Sequence, residues 1–158
     1  MQKDIITPLE ARQKLEHFCA YQDRCHGEVV DKLRSFGIDM NKIDEIVVYL
    51  IEHNFLNEER FAKSFARGKH RIKHWGKIRI VNELKFRGIT PYNIKTALKE
   101  IDPDEYLENF NVLADRCWEN LREPNFLKKK KKCQDFLFRK GYENQLIYDK
   151  MNLLEKTK

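Results

Sequence analysis

The chain has 158 residues, with 31 Lys and Arg against 25 Asp and Glu for a formal charge of +6, and a hydrophobic share of 41%. That size fits one domain or a few small repeats and excludes a large multidomain enzyme. Ten Phe, six Tyr and two Trp exclude a disordered tail despite a mean hydropathy of −0.73, because such a chain has the apolar anchors that disordered segments lack.

Helix signals run the length of the chain, and no stretch alternates Val, Ile and Thr as a strand does. Helices are expected at about 8–20, 26–36, 39–53, 57–73, 76–87, 91–101, 103–122, 125–140 and 143–156. Thr7-Pro8-Leu9-Glu10 and Asp102-Pro103-Asp104-Glu105 read as capping boxes with Pro at the first helical position, and Thr90-Pro91 repeats the cap without the acid. Gly37, Gly88 and Gly141 each follow an apolar helical pattern where a left-handed stop belongs.

Aligning the chain on these glycines exposes an internal repeat. Leu33, Leu84 and Leu137 stand four residues before the glycine, and Ile38, Ile89 and Tyr142 one after. Ile43, Ile94 and Ile147 stand six after, with Val47, Leu98 and Met151 ten after, and Leu50, Ile101 and Leu154 thirteen after. An upstream helix completes each unit, marked by Leu15 and Phe18, by Phe61 and Phe65, and by Leu113, Trp118 and Leu121. The expected fold is all-α: three tandem three-helix repeats at 1–55, 56–102 and 103–158, each with a thin core, in an elongated and curved arrangement.

Charge is unevenly placed. Residues 67–87 hold eight bases and one acid, residues 128–140 seven bases and one acid, and the remainder carries 16 bases against 23 acids. Lys69, Arg71, Lys73, Lys77, Arg79, Lys85 and Arg87 form the first cationic segment around Trp75, and Lys128, Lys129, Lys130, Lys131, Lys132, Arg139 and Lys140 form the second. Unmixed cations of this kind suit a phosphate backbone or an acidic protein surface, and Trp75 either stacks on an exposed base or plugs a joint between helices.

Catalytic signatures are absent: no GxxxxGK[ST], GxGxxG, HExxH or GxSxG occurs. His17, Cys19, Cys25 and His26 match no zinc spacing, and the four cysteines read as buried thiols, so neither a metal nor another cofactor is expected. No apolar run approaches the roughly 20 residues of a membrane span, and Met1 to Ile6 is too polar and short for a signal peptide, so a cytoplasmic protein without membrane contact is expected.

Leu56-Asn57-Glu58-Glu59-Arg60-Phe61-Ala62, followed by Trp75-Gly76-Lys77-Ile78-Arg79-Ile80-Val81-Asn82-Glu83-Leu84-Lys85-Phe86-Arg87-Gly88-Ile89, resembles the central signature of the RecX regulatory proteins. The resemblance extends from about Ala11 to Leu154 and includes Phe138-Arg139-Lys140-Gly141-Tyr142. One departure is Cys25, where a small hydroxyl residue commonly begins the second helix. The resemblance implies a non-catalytic cytoplasmic modulator of RecA that lodges in the groove of the RecA–DNA filament, suppresses its ATPase and strand exchange, and binds single- and double-stranded DNA. A monomer is expected.

Two other readings remain open from the residues. One is a helix-turn-helix-like nucleic-acid-binding protein acting without RecA; the other is a helical adaptor that docks an acidic protein without DNA. Against a base-reading role, the third-helix faces carry Asp44, Glu45, Glu52, Lys95, Lys99, Glu100 and Asp149, a mixed set unsuited to base edges.

Overall fold

The computed structural model describes residues 6–156. Nine helices occupy the described residues: α1 (Pro8–Tyr21), α2 (His26–Ser35), α3 (Met40–Glu52), α4 (Glu58–Arg71), α5 (Lys77–Phe86), α6 (Pro91–Leu98), α7 (Pro103–Asn120), α8 (Phe126–Lys140) and α9 (Asn144–Lys156). The largest departure from the expected ends is at α6, where Lys99, Glu100 and Ile101 donate to carbonyls three residues back and tighten the last turn. Pro103 follows directly, and a residue before proline is pushed out of the α region, as the extended backbone of Asp102 shows.

Caps set the starts. Side chains of Thr7, Asn57, Thr90, Asp102 and Asn125 accept the backbone N–H three residues on, at 3.1, 2.8, 3.4, 2.9 and 3.1 Å. The full capping boxes expected at Thr7 and Asp102 are made only in this forward half, since Glu105 turns to Arg71 instead, at 3.0 Å. The return bond occurs at Cys25, whose N–H donates to Glu28 Oε1 at 3.3 Å, so a thiol stands where the hydroxyl was missed and the glutamate closes the turn.

The repeat is visible in the backbone. In each unit the residue after the glycine donates to the leucine four before it: Ile38 to Leu33, Ile89 to Leu84 and Tyr142 to Leu137, at 3.4, 3.0 and 3.3 Å. This is the six-to-one bond of a Schellman stop, with the intervening glycine at positive φ in all three units. The three leucines are fully buried, and Ile43, Ile94 and Ile147 are at most 5% exposed.

The interior divides into two cores, where the sequence had suggested three thin ones. Ala11, Leu15, Cys19, Val29, Leu33, Ile43, Ile46, Val47, Leu50 and Leu56 form the first. The second is continuous from Phe61 to Met151 and also takes in Cys25. Its bridge between units is a run of tilted rings, with centroids 5.1 Å apart for His70 and Tyr106, 5.5 Å for Tyr106 and Tyr142, and 4.9 Å for Phe110 and Tyr142. The accessible area is 10531 Å², against about 8,400 Å² for a compact protein of this mass, which is the surplus an elongated chain of repeats leaves exposed.

Candidate cationic interface

Two turns far apart in sequence interlock. Gly76 N–H donates to Lys140 O at 2.7 Å, Ile78 N–H to Gly141 O at 2.9 Å, and Lys77 N–H to Tyr106 Oη at 3.1 Å. The first amides of α5, orphaned in an isolated helix, are thus consumed by the end of α8 and a tyrosine of α7. The negative end of one helix dipole faces the positive end of another, and the α5 N-terminus is closed to an anionic ligand.

This approach is possible because neither turn carries a side chain at the contact. A Cβ on Gly76 would lie 2.5 Å from Tyr142 N, and one on Gly141 would lie 2.6 Å from Arg79 N.

The loop between α4 and α5 is fixed residue by residue. His70 is 1% exposed; its Nδ1 lies 3.0 Å from Trp75 O and its Nε2 3.0 Å from Asn109 Nδ2, so the ring's proton sits on Nδ1, with Nε2 accepting from the amide. Tyr142 Oη donates to His74 O at 2.9 Å, and Lys140 Nζ to Lys73 O at 3.1 Å. Tyr106 Oη accepts from Lys77 and donates to the Glu143 carboxylate at 2.9 Å. Burial pushes both phenols upward in pKa, with Glu143 adding to it, so they remain donors at neutral pH. Burial, and then Lys140, hold His74 below the usual imidazole range.

The expected site residues separate into three sets. Lys69, Lys73, Lys77, Arg79, Arg139 and Lys140 gather around the interlocked turns, and among the described residues none of them pairs with a carboxylate. Arg139 and Lys140, assigned by sequence to the second segment, therefore belong with the first.

Trp75 is half-buried in the second core. It meets Phe65 edge-on at 6.1 Å and lies 4.1 Å from the Arg79 guanidinium and 5.0 Å from Lys69 Nζ. Its ring plugs the joint and positions two cations; a stacked base would first have to displace them.

In the second set, the cations are held by the protein's own acids or, for Lys129, by an aromatic ring. Arg71 forks onto Glu105 at 3.0 and 3.4 Å. Arg87 bonds Glu28 at 3.2 Å and lies 5.2 Å from the Phe65 ring. Lys130, Lys131 and Lys132 pair with Glu155, Asp135 and Glu123 at 3.4, 3.0 and 2.8 Å, and Lys129 covers Trp118 at 4.4 Å. Lys85 and Lys128 make the third set, exposed on α5 and α8. About eleven residues of α8 separate Lys128 from Arg139, or some 16 Å along the axis, so the lysine run and the interlocked turns are distinct surfaces.

The sequence reading missed Tyr106, Phe110, Asn109 and Glu143, which build the support beneath the cations. Tyr142 was read as core, and its hydroxyl proves to hold the loop. No helix among the described residues is long and apolar enough to cross a membrane, and no group of three metal-ligating side chains occurs among them.

Residues 57–98 match the family model of "RecX, second three-helix domain", and residues 104–151 that of "RecX, third three-helix domain". The regulatory proteins RecX of Bacillus cereus (strain B4264) and Bacillus thuringiensis (strain Al Hakam) are each 27% identical over 130 residues, covering 82% of this chain and 48% of theirs. The chain thus spans about half the length of the curated relatives it matches. The crystal structure of RecX from Lactobacillus salivarius superposes with a TM-score of 0.78 at 25% identity, over 94% of this chain and 96% of that one. A second, the crystal structure of regulatory protein RecX, shares the fold with a TM-score of 0.79 at 22% identity, over 92% and 71%.

Proposed function

Because the chain belongs to the RecX family of regulatory proteins, we propose that it acts without catalysis of its own, docking on the RecA–DNA filament and suppressing RecA's ATPase and strand exchange. One observation carries this reading: six cations from two units, Lys69, Lys73, Lys77, Arg79, Arg139 and Lys140, are gathered around one joint and left without internal carboxylates. Six such cations clustered at one joint present a concentrated positive surface to a polyanion, where each neutralised phosphate releases counterions.

The filament offers both DNA phosphates and acidic protein surface, and an elongated chain of repeats suits its groove. Lys85 and Lys128 to Lys132 supply a weaker second contact, since three of the five lysines must leave an ion pair to engage. Arg71 and Arg87 serve mainly to hold the units together. Single- and double-stranded DNA bind the same rim by electrostatics alone, and no membrane or oligomeric partner is needed.

The experiment is a titration of RecA's DNA-dependent ATPase with the wild-type chain and with the triple variant Lys73→Glu, Lys77→Glu, Arg79→Glu. The wild type inhibits; the variant loses at least tenfold in inhibitory potency with helicity unchanged. Inhibition by the variant equal to wild type would remove the rim from the mechanism, and no inhibition by the wild type would remove RecA. Sequence-specific binding to naked duplex in its place would favour a groove-reading protein.

A further inference from the structure

Two thiols meet inside the third unit. Cys117 of α7 and Cys133 of α8 have Sγ atoms 3.2 Å apart, about 1 Å from the length of a sulfur–sulfur bond. Cys133 is fully buried, whereas Cys117 is only partly buried, so Cys117 is the nearer of the two to solvent. The remaining cysteines are arranged differently: Cys19 sits in the first core, and Cys25 Sγ contacts Glu28 Oε1 at 3.2 Å.

We propose that Cys117 and Cys133 are a reversible dithiol–disulfide site, oxidised by hydrogen peroxide, that staples α7 to α8. The Cys117 sulfur attacks one peroxide oxygen; an S–O bond forms, the O–O bond breaks, and the departing hydroxide takes the thiol proton as water. The Cys133 sulfur then attacks Cys117 sulfur; the S–S bond forms, the S–O bond breaks, and the second hydroxide leaves with the Cys133 proton. Two thiols lose two electrons and two protons, and one peroxide becomes two waters.

The order follows from access. Burial, aided by the neighbouring Cys117 and opposed by Lys129, raises the Cys133 thiol, and its fully buried position suits it to resolve the reaction rather than begin it. The staple closes a ring from residue 117 to residue 133 that contains the α7–α8 connection and the whole run Lys128 to Lys132. Closing it restricts the unfolded chain more than the folded one, in which α7 and α8 are already packed. The site stands independently of what the cationic rim binds.

The test uses the full reduced chain treated with a several-fold excess of hydrogen peroxide. The expected product has lost two hydrogens by intact mass, maps as a Cys117–Cys133 peptide pair, and melts on the order of 5–10 °C higher, with the gain erased by dithiothreitol. Cys133→Ser should instead accumulate a dimedone-reactive sulfenic acid at Cys117 with no rise in Tm. Cys117→Ser, at the less buried position, should leave Cys133 unreacted and keeps the test available if the core variant folds poorly. Pairing of either cysteine with Cys19, Cys25 or another molecule, oxygen addition without a cross-link in the wild type, or a cross-link that leaves Tm unchanged would overturn the proposal.

Discussion

Gly141→Ala separates what the interlocked turns contribute from what a helix stop contributes. Gly37, Gly88 and Gly141 hold one position in the repeat, with φ of 73°, 78° and 99°, so an alanine at any of them meets the same left-handed strain of about 1 kcal/mol. A Cβ on Gly37 or Gly88 meets nothing within 4 Å, whereas one on Gly141 falls 2.6 Å from Arg79 N and 2.9 Å from Arg79 Cα. Those are backbone atoms inside a helix and cannot swing aside. Separating the turns enough to admit the methyl stretches the Gly76–Lys140 and Ile78–Gly141 bonds, each worth roughly 0.5–1.5 kcal/mol, and disturbs packing at a further ~1–3 kcal/mol. Gly141→Ala should therefore cost about 3–7 kcal/mol in urea unfolding followed by circular dichroism, against about 1 kcal/mol for Gly88→Ala. Losses equal within ~0.5 kcal/mol would refute the close approach as a source of stability, since backbone strain alone predicts that equality.

Arg60→Ala should free the first unit: Arg60 bonds Asp23 at 2.6 Å, the Asn54 side chain at 3.2 Å, and the carbonyls of Asn54 and Phe55 at 3.1 Å each. Its half-exposed setting limits the loss to about 1–2 kcal/mol, read as faster proteolysis around residues 53–57, and cleavage at the wild-type rate would refute it. His74, held below the ordinary imidazole range by burial and Lys140, resists protonation more in the folded than in the unfolded chain. Its contribution is intact above an unfolded pKa of about 6.5 and declines as pH falls below it. His74→Asn, which tolerates the local φ of 61 to 59° range as Asn54 already does, should flatten the fall in Tm between about pH 7 and 5; an unchanged slope would exclude this histidine.

Helix positions were open to reading because their causes are local. Thr7, Thr90 and Asp102 each precede a proline, and the leucine-to-glycine spacing that writes the Schellman stop lies within six residues. Some pairing was equally local: Lys131 with Asp135 and Arg87 with Glu83 stand four apart. The partners that remove most of the other cations from the interface do not. Arg71 meets Glu105, Arg87 meets Glu28 and Lys130 meets Glu155, and nothing in a linear charge count distinguishes those acids from solvated ones. Tyr106, Phe110 and Tyr142 fit ordinary core positions in any amphipathic helix. Their role as a bridge depends on how one unit rests on the next, and Gly76 and Gly141 carry that information only as two apparent stops.

The same repeated stop thus produces two kinds of joint. Where Gly141 presents its bare Cα to Arg79, the second and third units fuse around a common core. Between the first and second units the main cores are separate; Cys25 alone of the first core-forming unit enters the second core, and the other ties are polar, centred on Arg60 with Asp23 and Arg87 with Glu28. Polar, partly hydrated ties cost less to open than a shared apolar core, so bending is expected at the first joint and rigidity at the second. The six clustered cations sit on the second joint, where the interlocked backbone holds their spacing without a bound partner. Away from the two basic segments the chain carries 16 bases against 23 acids, so a polyanion docking as proposed would be repelled by the rest of the surface and drawn to this rim. On the proposed reading, orientation is set before contact, and bending at the first joint lets the first unit adjust afterwards.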